Sequence, residues 1–156
     1  MFGFIKRLFG KKQLPPKEPV VLTGLQAAEM QHYDEVEWPK PDDKIGMASV
    51  VFFINKDNCP TQGVVKAIKK QGCLVRYRVA YNTGSEKLLP SDKVFRSRDI
   101  ALMDAIGEHW RAIQRYYRGL QNAKAASKEV IHYTLGKVQA HKEVIAFLEA
   151  QKEKAS

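Results

Sequence analysis

Two runs rich in β-branched and aromatic residues, Gly63 to Lys70 and Cys73 to Tyr81, stand on either side of Gln71-Gly72. No other feature constrains the fold of this chain as strongly. A two-residue link whose second member is glycine, between runs that alternate with period two, predicts a tight antiparallel hairpin. The implied register sets Lys70 opposite Cys73, Ile68 opposite Val75, Lys66 opposite Tyr77 and Val64 opposite Val79. Side chains alternate along each strand, so one face is nearly all apolar. The other face holds Lys69, Arg76 and Arg78, with Val65, Ala67 and Leu74 between them. A slip of one residue exchanges the faces.

The flanking sequence extends the sheet. Residues 47–54, Met-Ala-Ser-Val-Val-Phe-Phe-Ile, are too short for an ordinary helix and read as a strand buried on both faces. Asn55 to Gln62 is a turn-rich loop, Asn82-Thr83-Gly84 a second turn and Ser85 to Leu89 a further strand. Pro90-Ser91-Asp92 then turns the chain into Val94-Phe95. Four or five short strands suit a small closed barrel, which leaves no unpaired edge.

Three stretches carry a family resemblance: Gly63-Val64-Val65-Lys66-Ala67-Ile68, Val75 to Tyr81 with Gly84, and Lys87-Leu88-Leu89-Pro90-Ser91-Asp92. Over about residues 44 to 97 they resemble the Tudor-like branch of the SH3-like barrels. Gly63-x-Val65-x-x-Ile68 is equally similar to the KOW motif of nucleic-acid-binding barrels. The Tudor-like resemblance implies recognition of a partner at one end of the barrel, often a methylated side chain held in an aromatic cage by cation–π attraction. Tyr77, Tyr81 and Phe95 are the candidate partner-binding aromatics. Tyr81 matches the family aromatic at the end of the third strand, whereas the Asn55 to Gln62 loop has no aromatic residue. Tyr77 and Phe95 fall on the apolar phase, which places them in the core.

Charge points to the class of partner. The chain has 26 Lys and Arg against 17 Asp and Glu, a formal charge of +9, and so favours anionic partners. The excess is local: residues 1–19 carry net +4, residues 20–44 net −4, residues 45–98 net +7 and residues 99–156 net +2. Lys66, Lys69, Lys70, Arg76, Arg78, Arg96 and Arg98 are therefore the candidate anion-binding or nucleic-acid-binding residues. Basic side chains on a small barrel contact phosphates and give affinity without sequence information. A solvated strand face is the competing reading.

Residues 1–19 form a basic amphipathic segment and Pro-rich linker. Phe2, Phe4, Ile5, Leu8 and Phe9 interleave with Lys6, Arg7, Lys11 and Lys12, the pattern of a membrane-surface anchor. Docking of the same aromatic residues on the protein's own surface is the alternative. Residues 20–43 read as a short helix over about residues 24–33, started by the Thr23/Gln26 capping box, and an acidic linker. That linker either is solvated or folds back to mask a basic surface. Trp38, before Pro39, is expected to pack on the domain that follows.

Residues 99–156 read as a helical hairpin or coiled-coil region. Ser97 or Asp99 caps the first arm, and Met103, Ile106, Trp110, Ile113, Tyr117 and Leu120 recur at steps of three and four. A hairpin turn is expected near Gly119 to Ser127, although Ala123, Ala125 and Ala126 would also permit one long helix. Ile131, Val138 and Ile145 line one row of the second arm, widened by Val130, Leu135, Val144, Phe147 and Leu148. These stripes are buried either against the barrel or in a homodimer through helices 99–156. Arg111, Arg115 and Arg118 share a helix face.

The fold class expected is thus α+β: a small SH3-like (Tudor-like) barrel, a C-terminal helical hairpin and a short N-terminal amphipathic segment. Cys59 and Cys73 make neither a disulfide scaffold nor a zinc site, and two free thiols point to a cytoplasmic protein. His32, His109, His132 and His141 are scattered, and no phosphate loop, dinucleotide fingerprint or nucleophile elbow is present. No enzyme, cofactor or metal is expected. The expected function is a non-catalytic binding module whose basic barrel surface holds nucleic acid or an acidic protein or peptide. The alternative is an adaptor peripheral on the inner face of a membrane, which grips a peptide through the barrel and dimerises through its helices.

Overall fold

The computed structural model describes residues 15–40 and 44–154. The segment assigned to membrane contact, Phe2 to Lys12, lies outside the described residues. In chain order the elements are β1 (Lys17–Pro19), α1 (Gly24–Glu35), β2 (Val50–Ile54), β3 (Pro60–Gln71), β4 (Leu74–Tyr81), β5 (Ser85–Pro90), a 3-10 turn (Ser91–Lys93), α2 (Arg98–Ala123), β6 (Ala125–Ser127) and α3 (Lys128–Glu153). The protein is mixed α+β. A four-stranded antiparallel sheet, in the order β2-β3-β4-β5, stands beside three packed helices.

The sheet differs from its expected form in three ways. First, the hairpin pairs Gln71 with Leu74, Lys70 with Val75, Lys69 with Arg76, Ile68 with Tyr77 and Ala67 with Arg78. Gly72 is the first residue of the turn rather than the second, with φ +62, the position where a type II′ turn requires positive φ. Second, a bulge at Lys66 shifts the register, so that Val65 pairs with Val79. One extra residue reverses the alternation, and Val65, expected on the outer face, lies in the core with Tyr77 and Val79. Third, β2 starts only at Val50, after a turn in which Ala48 takes φ 63. It buries Val51 and Phe53 on one face; on the other Val50 is exposed while Ile54 packs against the helices, so the second face is covered only in part.

A closed barrel is not formed. Past the 3-10 turn, Phe95 exchanges both backbone hydrogen bonds with Phe52, at 2.7 and 2.9 Å, as a single antiparallel bridge. Extended pairing stops there because Ser97 caps α2, its hydroxyl accepting from the Ile100 amide at 3.4 Å. Two residues after the bridge the chain is already committed to helix.

The apolar stripes of the helices meet one another. Met30 of α1, Leu102, Ile106, Ile113 and Tyr117 of α2, and Val138, Ile145 and Leu148 of α3 form one core, each side chain contributing about 1.5–3 kcal/mol of burial. The hairpin expected near Gly119 to Ser127 turns at Lys124, with φ 59. Its connection, β6, pairs antiparallel with β1, a two-stranded ribbon that residues 17–19 gave no pattern to predict.

α1 starts at the expected capping box, the Thr23 hydroxyl accepting from the Gln26 amide and the Gln26 side chain from the Thr23 amide, both at 3.1 Å. Of the acidic stretch, Asp34 reaches α2, Glu35 and Glu37 stay exposed, and Asp42 and Asp43 lie outside the described residues; the other carboxylate contact of α1 is made by Glu29, earlier in the helix. Glu29 accepts from the Tyr117 hydroxyl at 2.7 Å and from Lys142 Nζ at 2.8 Å, and Asp34 accepts from Gln114 and Arg118, both at 2.8 Å. Trp38 packs on α2 instead of the sheet. A Cβ at Gly107 would stand 2.9 Å from its ring, and its indole N–H donates to the Tyr33 carbonyl at 2.9 Å. Sheet and helices join where Ile54 packs against the helical core and Gln151 Nε2 donates to the Asn58 carbonyl at 2.7 Å.

Candidate nucleic-acid interface

The outward face of the hairpin gathers the charge. Lys69 and Arg76 are direct cross-strand partners, Arg78 follows Arg76 at the next outward position of β4, and Ala67 lies across from Arg78. Like charges placed directly opposite each other weaken a sheet, so this pair is a local cost to the fold. The neighbouring strand supplies one acid: Arg78 Nε lies 3.9 Å from Glu86, both side chains about half exposed. Leu74, 58% exposed, and Leu88, 42% exposed, stand on the same face. The result is a solvent-facing patch of three cations with an apolar margin.

The other expected cations separate from this patch. Lys66 is exposed at the bulge, and Lys70, exposed near the hairpin tip, belongs to the opposite phase with Val75 and Ile68. Arg96 donates to the Lys44 carbonyl. Arg98 Nη1 donates to the Gln151 carbonyl at 3.2 Å, tying the start of α2 to the end of α3. These two arginines hold the chain's own backbone.

The candidate aromatics divide likewise. Tyr77 and Phe95 are buried in the core, because their strand phase points inward, and they present no surface to a partner. Tyr81 is half-buried and meets Phe53 edge to face, centroids 5.3 Å apart. Lys87 Nζ lies 5.9 Å from the Phe53 centroid, so the cation near this aromatic pair is the chain's own. Among the described residues no aromatic side chain faces outward beside Lys69 and Arg76 to give that patch a stacking platform for bases.

A second cluster of titratable groups lies where the sheet meets α2, around a cleft of about 240 Å³ lined by Asn55, Asn58, Lys93, Asp104, Glu108 and His109 among others. Lys93 bridges Asp104, at 3.5 Å, and Glu108. Burial pulls the Lys93 ammonium down, but the Glu108 hydrogen bond with the charges of Asp104, Glu108 and Asp92 outweighs it and the pKa is raised. Burial raises Asp104 against the pull of Lys93. Both carboxylates are engaged by one lysine, which makes this a clamp between the 3-10 turn and α2.

His109 and His141, scattered in sequence, meet Nδ1 to Nδ1 at 2.8 Å. The hairpin carries the signal for this contact: each is sixteen residues from Ala125, about which the helices fold. Burial first, then His141, lowers the His109 pKa against the opposing Glu108 charge. For His141, burial, Lys137 and Arg115 act in the same direction. Among the described residues no three His, Cys, Asp or Glu side chains gather as a metal site, and no helix is long and apolar enough to cross a membrane.

Comparison with protein-family models, with curated proteins and with solved structures returned no match. The functional reading therefore stands on the geometry alone.

Proposed function

We propose that this chain is a non-catalytic binding module that holds the phosphate backbone of nucleic acid on the outward face of its sheet. The observation that carries the reading is the register that sets Lys69 opposite Arg76, with Arg78 next along β4, on a solvent-facing surface. Three cations at strand spacing match a row of phosphates, and the missing aromatic platform makes the recognition independent of sequence. The bridge from Phe95 to Phe52, after a 3-10 turn, supports reading the sheet as an SH3-like, Tudor-like module with a minimal fifth strand. Exposed Leu74 and Leu88 favour, as a second reading, an acidic peptide with apolar side chains.

Fluorescence anisotropy of the full chain with labelled single- and double-stranded oligonucleotides, across a salt series, tests the proposal. Binding that weakens as salt rises and falls at least tenfold in the Arg76→Ala/Arg78→Ala variant is the expected result. Binding unchanged by that variant, or none at low salt, overturns it.

A further inference from the structure

Helix α3 carries two apolar rows. One runs through Val138, Ile145 and Leu148 and is buried in the bundle. The other runs through Tyr133, Ala140 and Phe147 and faces away from it, with Tyr133 63% and Phe147 50% exposed, while Val144 stands half-buried between the two rows and packs against the bundle. The backbone is open on that side: a Cβ added at Gly136 meets nothing within 4 Å.

This second row is complementary to itself. Tyr133 and Phe147 each stand seven residues from Ala140, and Lys137 and Glu143 three. We propose that α3 docks antiparallel on α3 of a second copy of this chain, with the two-fold axis beside Ala140. In that arrangement aromatic meets aromatic at both ends, the bare backbone at Gly136 lets the two helices approach, and Lys137 faces Glu143. Each contact occurs twice, as an isologous interface requires.

The charges select this occupant. Lys137 and Glu143 make no ion pair with any described residue, and Lys137 Nζ lies 5.4 Å from the Tyr133 centroid, poised at the edge of the row. An anionic membrane would take the apolar residues but repel Glu143. An unrelated helix has no reason to present the opposite charges at mirrored positions.

Sedimentation equilibrium of the full chain tests the proposal. The weight-average mass is expected to rise with concentration from 17.7 kDa towards twice that value. Phe147→Glu is expected to leave a monomer at every concentration. Lys137→Glu and Glu143→Lys each weaken association about tenfold through doubled like-charge contacts, and the double variant recovers it. These side chains are exposed, so far-UV circular dichroism should match the parent. A monomer up to millimolar concentration, a dimer indifferent to Phe147→Glu, or a double reversal weaker than either single one overturns the proposal. So does a monomer that instead sediments with anionic vesicles through Phe147.

Discussion

Glu29 is the point at which three helices are joined by one carboxylate. It is 8% exposed and accepts from Tyr117 of α2 and Lys142 of α3. Burial, then the Glu29 hydrogen bond and charge, raise the Tyr117 pKa, so the phenol stays protonated and donating. A hydrogen bond to a charged acceptor contributes about 1.5–3 kcal/mol, and Tyr117→Phe should lower the urea unfolding free energy by that amount. A change below about 0.5 kcal/mol, the size of a surface substitution, contradicts this account. His109 and His141 set a pH dependence with a definite sign. Both pKa values lie below the ordinary 6.5, so the unfolded chain binds these protons more readily. Stability is therefore full above that value and lost as the pH falls through and below it. In both rings burial is the largest cause; His141 adds to it and Glu108 opposes it at His109, and Lys137 and Arg115 add to it at His141. Their 2.8 Å contact also needs one ring nitrogen to accept, which a doubly protonated pair cannot supply. Urea titrations between about pH 7 and pH 5 should show a steeper loss for the parent than for His109→Gln/His141→Gln.

The three helices and four strands were largely legible as elements, each for a local reason. Thr23 with Gln26 marked the start of α1, and Ser97 the start of α2. Their caps depend on groups three residues apart, so a short window of sequence contains the whole interaction. The β3–β4 hairpin was legible as a hairpin but not in register. Gly72 at the first turn position moved the pairing by two residues, and the Lys66 bulge reversed the phase beyond it. Turn type depends on which of two adjacent residues takes positive φ, and Gln71-Gly72 and Gly72-Cys73 both offer glycine. The three-residue strands β1 and β6 carried no pattern, because alternation needs about four or more residues to show. Helix α2 contains a removable local weakness. Gly119 is exposed, lies inside the helix and has nothing within 4 Å of an added Cβ. Gly119→Ala should raise stability by about 0.8–1 kcal/mol, read as a higher midpoint in chemical denaturation, and a destabilised variant would show that the position is less open than the geometry states.

Across the whole molecule, the basic excess of residues 45–98 motivates the proposed phosphate contact, and the hairpin register brings Lys69, Arg76 and Arg78 to one outward face. If the sheet face engages phosphates through Lys69, Arg76 and Arg78, replacing all three by Ala removes about three counterion-linked contacts. The slope of log K against log salt on duplex DNA should then become shallower by about 2.7, at about 0.9 per contact. An unchanged slope moves the anion contacts elsewhere on the chain. Composition, periodicity and capping determined by themselves that this is a mixed α+β protein with a β hairpin, a helical hairpin and a basic excess in residues 45–98, since these depend on neighbours within a few residues. Only the tertiary structure decided that Glu29 joins the three helices, that Arg96 and Arg98 serve the backbone, and that the sheet stays open at Phe95. Each of those outcomes is set by groups about 40 to more than 100 residues apart in sequence, where no local pattern states which charges meet or which edge is paired.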